Sequence, residues 1–194
     1  MNYEPFDIGK NFRIAPPDTI PVPGRADIIM ARGAFGSGEH ETTASCIELI
    51  ESLDLTGKRF LDLGSGTGIL AIAAIKLGAA SGVCVDIEAD AVESARHNCS
   101  LNNIGSEIEH LCGTLDKVAN EQFDFGLANI YGDILLAVCH DLVPRIKPGG
   151  TLLLSGILWE YNFDVRQKYE CAGCDVVRNR MMDEFSTVLL KIPV

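Results

Sequence analysis

The sequence predicts an α/β protein, a doubly wound, seven-stranded, mostly parallel sheet that ends in an antiparallel hairpin. Three observations predict it. From Arg59 onward, short apolar runs alternate with stretches of helical periodicity, the order that right-handed crossovers impose on a parallel sheet. One run feeds straight into a glycine-rich turn and then a helix, at Leu61-Asp62-Leu63-Gly64-Ser65-Gly66-Thr67-Gly68. The last two runs are separated only by residues 181–184, too few for a crossover helix, so they pair antiparallel.

Residues 1–29 carry five prolines and little periodicity, and read as an N-terminal arm or linker with short strands around 8–14. The domain proper then runs over 30–194. Residues 30–39 are glycine-rich. A helix follows over 41–53, with Thr42 or Thr43 as its cap and Cys46, Ile47, Leu49, Ile50 and Leu53 as its apolar stripe. The strands of the sheet are expected at 59–63, 82–87, 108–112, 123–130, 151–154, 175–180 and 185–192. Helices are expected at 69–77 (stopped by Gly78), 89–102, 115–119, 133–146 (stopped by Pro148-Gly149-Gly150) and 161–171.

Composition narrows the function classes. The 194 residues suit one domain, and 47 % hydrophobic with 22 % charged residues is ordinary for a globular chain. The strongest apolar stretch, 69–77, contains Lys76 and is too short to cross a bilayer. Glu4 and Asp7 interrupt any signal segment, which places the chain in the cytoplasm. The seven cysteines form no disulfide-scaffold spacing. Cys46, Cys84, Cys99, Cys112 and Cys139 read as small core hydrophobes. Cys171-Ala-Gly-Cys174 closes a helix and lacks the two further ligands of a zinc site. A net charge of −11 disfavours nucleic acid and suits a basic partner.

The glycine loop carries the chemistry. Glycines permit positive φ and close approach of a ligand, and the helix that follows presents unpaired amides. The spacing is G-x-G-x-G, and Ile69 stands where a dinucleotide fold has its third glycine, which disfavours a dehydrogenase. Asp86 ends the second strand where a carboxylate can accept from both hydroxyls of a ribose, with Glu88 close behind. Asn129 ends the fourth strand, on the same crevice. Its amide oxygen can accept from an incoming amine and hold the nitrogen lone pair in line with a sulfonium methyl. Read blandly, the loop is a tight turn, and Asp86 and Asn129 are helix caps. Residues 34–43, Ala-Phe-Gly-Ser-Gly-Glu-His-Glu-Thr-Thr, read as a glycine flap with one aromatic. His40 has no second ligand nearby and serves as well to start a helix.

At this point the chain resembles the PrmA-type methyltransferases of ribosomal protein L11. The resemblance rests on AFGSGEHETT (34–43), LDLGSGTGILAIAAIKLGA (61–79), VDIEADAV (85–92), LANI (127–130) and LSGIL (154–158), of which the first and last are the most specific. It implies a class I, Rossmann-like fold and transfer of methyl groups from S-adenosylmethionine to lysine or N-terminal amines of a protein, ribosomal protein L11 being the family's acceptor. No membrane and no direct nucleic-acid partner are expected, from the short apolar stretches and the net charge of −11. Family members carry an N-terminal recognition domain to which nothing here corresponds, and residues 1–17 resemble only the connecting segment. Thr43, Gly64, Asp86 and Asn129 match cofactor-contacting positions, Gly113 and Thr114 fall beside the adenine, and Phe35 and Ser37 lie in a flap over the methionine portion. Ser37 replaces the family's usual threonine and keeps its hydroxyl. Asp62, Ser65, Gly66, Gly68 and Ile87 complete the expected cofactor shell, Asn129 is also the expected catalytic residue, and no metal ligand is expected. A small-molecule N-methyltransferase and a non-catalytic cofactor-binding module are the alternatives. Methyltransferases of nucleobases or glutamine would resemble Asn-Pro-Pro-Tyr where this chain has Asn129-Ile130-Tyr131.

Overall fold

The computed structural model describes residues 3–31 and 40–194. Residues 6–29, expected as an arm, form a small sheet. Strand β1 (Phe6–Ile8) turns at Gly9 into antiparallel β2 (Phe12–Ala15), and β3 (Ala26–Ile29) joins β2 in parallel. Arg13 clamps Asp27 through two guanidinium nitrogens, at 2.6 and 2.9 Å, across the parallel pair. Ile8, Phe12, Ile14, Ile28 and Met30 are buried in one of the two main cores.

Then follow α1 (Glu41–Ile50), β4 (Arg59–Leu63), α2 (Ile69–Lys76), β5 (Ser81–Asp86), α3 (Ala89–Leu101) and β6 (Ile108–Cys112). The second half holds β7 (Phe123–Asn129), α4 (Gly132–Leu142), β8 (Ile146–Leu158), α5 (Trp159–Cys171), β9 (Asp175–Met181) and β10 (Phe185–Lys191). The large sheet has the order β6-β5-β4-β7-β8-β10-β9, with β10 antiparallel to both its neighbours and every other pair parallel. This is the expected doubly wound sheet with its terminal hairpin.

Period-two alternation divides the strands between two cores. Phe60, Cys84, Phe125, Leu127, Leu153 and Leu189 face the core that holds α1, α2 and α3 residues. Leu61, Leu63, Val83, Val85, Leu152, Leu154, Val188 and Leu190 face the core that holds α4 and α5 residues. Because β4 hands its chain to α2 on one face and β7 hands its chain to α4 on the other, the two connections diverge and leave a crevice at the carboxyl ends of the strands.

Boundaries depart from the expected ones for identifiable reasons. Helix α1 ends at Ile50, not 53, because Ser52 and Leu53 donate to Leu49 and Ile50 in a tighter turn. Its cap is His40, whose Nδ1 accepts from the Thr42 amide at 3.3 Å; Thr42 and Thr43 are buried inside the first turn. Helix α4 stops at Leu142 because Pro144 lacks an amide proton and a 3-10 turn over Val143–Arg145 follows. Strand β8 begins before Pro148-Gly149-Gly150 and ends at Leu158, far beyond 151–154. The expected helix over 115–119 is a single 3-10 turn, Leu115–Lys117. Cys112 is exposed, so it is no core hydrophobe, whereas Cys46, Cys84, Cys99 and Cys139 are buried as expected.

Candidate functional site

Strand β4 delivers the glycine loop to the crevice, and three of its glycines take positive φ. At Gly64 (φ 71°) a β-carbon would stand 2.3 Å from the Ile130 side chain, so the backbone beside β7 has no room for one. At Gly68 (φ 78°), the residue that opens α2, a β-carbon would press on Ala95 of α3 at 3.1 Å. The loop is held to β5 by the Gly64 amide donating to the Val85 carbonyl at 2.8 Å.

Asp86, the last residue of β5, faces the loop. Its Oδ2 accepts from the Gly66 amide at 2.8 Å and its Oδ1 from the Glu88 amide at 3.0 Å. Each oxygen keeps acceptor capacity for a vicinal diol, and the two amides fix its orientation. Beside it, Ile87 is 66 % exposed, an apolar surface next to an acid. The Gly113 amide donates to the Asp86 carbonyl at 2.8 Å, which ties the turn after β6 to the same strand end. The Thr114 hydroxyl is engaged by the Asp116 carboxylate.

Asp62 lies beneath the loop on the α1 and α2 face of β4, 1 % exposed, and its Oδ2 has no hydrogen-bond partner among the described residues. Burial pushes its carboxyl up to about 7, with the charge of Asp86 adding to the shift. A buried carboxylate with one unpaired oxygen suits a cationic nitrogen. Ser65, with 8 % exposure, is buried at the turn itself.

Asn129 ends β7 across the crevice from Gly64, opposite Ser155 of β8. Asn129 is half-buried, and Gly156, at φ 76°, packs close beside it: a β-carbon there would come within 3.2 Å of Asn129 Oδ1 and 2.7 Å of the Ile130 carbonyl. Thr43 is buried in the first turn of α1. Phe35 and Ser37 lie outside the described residues.

Sequence reasoning missed two asparagines. Asn98 in the last turn of α3 and Asn102, four residues on at its carboxyl cap, are buried. Asn98 accepts from the Ala31 amide at 2.9 Å and donates to the Thr67 carbonyl at 2.9 Å. Asn102 accepts from the Ile29 amide at 2.9 Å and donates to its carbonyl at 2.7 Å. They pin the glycine loop and the chain leading toward residue 32 to one helix. The signal was available as two polar residues at i, i+4 beside Ala95 and Cys99 on the apolar side of the helix.

A cavity of about 340 Å³ between Leu53, Lys58, Asp124, Lys147 and Lys191 opens at the amino ends of the strands, away from all of these groups. Among the described residues, no cluster of three His, Cys, Asp or Glu could hold a metal ion, and no helix is long and apolar enough to cross a membrane.

The family model described as ribosomal protein L11 methyltransferase (PrmA) matches residues 1–192. A ribosomal protein L11 methyltransferase of Exiguobacterium sp. is 36 % identical over 192 residues, 97 % of this chain and 62 % of that protein. One of Pelobacter propionicus is 37 % identical over 198 residues, 98 % of this chain and 64 % of that protein. The chain thus spans a little under two thirds of the length of these relatives. The crystal structure of a ribosomal protein L11 methylase from Lactobacillus delbrueckii subsp. bulgaricus matches with a TM-score of 0.89 at 28 % identity, over 99 % of this chain and 100 % of that one. A tRNA m1G37 methyltransferase of M. jannaschii, at TM-score 0.69 and 16 % identity over 78 % of this chain and 49 % of that one, shares the fold alone.

Proposed function

The chain belongs to the ribosomal protein L11 methyltransferase family, and from that premise we propose that it transfers methyl groups from S-adenosylmethionine to amines of a protein, ribosomal protein L11 being the acceptor. The observation that carries this reading is the arrangement at the carboxyl ends of β4, β5 and β7 of a glycine loop bonded to Asp86, a buried Asp62 oxygen with no partner among the described residues, and the half-buried Asn129.

The residues fit the cofactor. Asp86 suits the ribose hydroxyls, Ile87 an apolar ring, and the free Asp62 oxygen a cationic amino group. S-adenosylmethionine supplies a methyl group already activated by its positive sulfur, so the chain's task is to hold and orient. The Asn129 oxygen accepts a proton-bearing face of the acceptor nitrogen, which leaves the lone pair aimed at the methyl carbon. When bound, S-adenosylmethionine would supply the methyl group and leave as a neutral thioether, and the extra proton of the methylated nitrogen would pass to water. The acidic chain, at net −11, attracts a basic acceptor. A ribosomal acceptor is met in the cytoplasm, the compartment this reading implies.

Calorimetric titration with S-adenosylmethionine, followed by transfer of labelled methyl to purified ribosomal protein L11, tests the reading. Binding with transfer supports it. Binding with transfer only to small amines would replace the protein acceptor, and absence of binding would remove the reading altogether.

A further inference from the structure

The crevice has a second half. Glycine loop, Asp86 and Gly113 stand at the ends of β4, β5 and β6; the ends of β7 and β8 carry a different surface. Three large aromatics are exposed there, Tyr131 by 65 %, Trp159 by 53 % and Phe163 by 61 %. Exposed rings gathered on one rim mark an interaction surface more than scattered ones do.

Topology gathers them. Strands β7 and β8 are parallel neighbours with Asn129 opposite Ser155; Tyr131 lies two residues past Asn129, and Trp159 directly follows β8. Gly132 packs beneath Tyr161, which holds the first turns of α4 and α5 together. Phe163 sits one helical turn from Trp159. The indole is fixed in place, since Trp159 Nε1 donates to the Met182 carbonyl at 3.1 Å and its amide to the Glu184 carbonyl at 3.2 Å. That brings the β9–β10 turn to the rim, where Glu41 of α1 accepts from the amides of Asp183 and Glu184 at 3.3 and 3.4 Å.

The charge on this rim is mostly negative, with Arg166 and Arg180 at its border held by Asn162 and Glu48. Asp133, Glu160, Asp164, Asp183 and Glu184 are all exposed. None of the chain's 16 lysines and arginines falls within residues 40–47, 129–142, 155–164 or 181–185. Aromatic faces among carboxylates attract cations, by the ring quadrupole and by charge together.

We propose that this aromatic and acidic rim is the docking surface for the methyl acceptor, and that its occupant is a polypeptide segment with arginine or lysine on both sides of the methylated amine. The inference rests on the transferase reading for the adjoining Asn129 and adds to it the surface that selects the acceptor. Nothing in the cofactor half needs these side chains.

The test uses a fluorescent peptide with one acceptor lysine flanked by arginines, and its counterpart flanked by glutamines, on protein saturated with S-adenosylhomocysteine. The arginine peptide is expected to bind at least about tenfold tighter than the glutamine one, and to weaken with salt. Glu160→Gln with Asp164→Asn should weaken it by about tenfold, and so should Trp159→Ala, with affinity for S-adenosylhomocysteine unchanged as the check on folding. In turnover, KM for the arginine peptide rises in the variants while kcat holds. Equal binding of the two peptides, or unchanged binding in both variants, overturns the proposal. Peptide binding through the rim with no methyl transfer upholds this surface and defeats the transferase reading. Transfer to both peptides at equal kcat/KM upholds that reading and defeats the surface.

Discussion

Asp62 is the residue at which burial and charge are most at odds. Its carboxyl titrates near 7 because burial, and then Asp86, oppose ionisation. In the unfolded chain it ionises at ordinary carboxylate values, so its contribution to stability falls as pH rises from about 4 to about 7. A cationic amino group placed against its free oxygen reverses the preference and expels the proton. Cofactor affinity is therefore expected to rise with pH through about 7 and to weaken on acidification; Asp62→Asn should flatten that profile in calorimetry, and a flat wild-type profile would contradict the assignment. Asp86→Ala should weaken cofactor binding about 10- to 100-fold, the value of one or two hydrogen bonds to a charged group. Unchanged affinity would remove the ribose role. Asn129→Ala should lower turnover far more than cofactor affinity; equal losses would make Asn129 a cofactor contact alone. That Asp86 and Asn129 end their strands at the carboxyl edge of the sheet was legible from the apolar runs they close. The isolation of Asp62 was not, since it depends on which face of β4 the residue takes and on what lies across from it.

At the scale of elements, the mostly parallel sheet and the terminal hairpin were readable from spacing alone: seven apolar runs, helical stretches between six of them, and a short polar link between the last two. Strand β8 was read short because Pro148-Gly149-Gly150 look like breakers. They are accommodated in a bulge, where Ile146 pairs with Phe123 and Thr151 with Phe125, while Gly149 and Gly150 bond to Ile192 beyond β10. Helix α3 hides a further lesson. Its register was evident, yet Asn98 and Asn102 work as pins, bonding backbone at Ile29, Ala31 and Thr67 that lies 31 to 73 residues away. Asn98→Ala removes the bond to the half-buried Ala31 amide and one bond to the Thr67 carbonyl, and should cost about 1–3 kcal/mol. A denaturation midpoint lowered at unchanged slope would show it; an unshifted midpoint would mean water takes over both bonds.

Across the whole molecule, one division organises everything: two cores on either side of one sheet, with the crevice at the point where β4 and β7 send their helices to opposite faces. The small N-terminal sheet joins the core of α1 and α2, which proline-rich, weakly periodic sequence did not announce, because its burial comes from Ile8, Phe12, Ile14 and Ile28 meeting helices far along the chain. Charge acts at this scale too, and the net −11 matches the acidic rim beside Asn129. The central claim is that the crevice moves a methyl group from S-adenosylmethionine to a protein amine. The most direct measurement is intact-mass spectrometry of ribosomal protein L11 incubated with this chain and S-adenosylmethionine, with Asp86→Ala and Asn129→Ala run alongside. Mass increments of about one methylene each, absent or much reduced with both variants, are the predicted result. An unmodified acceptor in the presence of a demonstrably bound cofactor would contradict it.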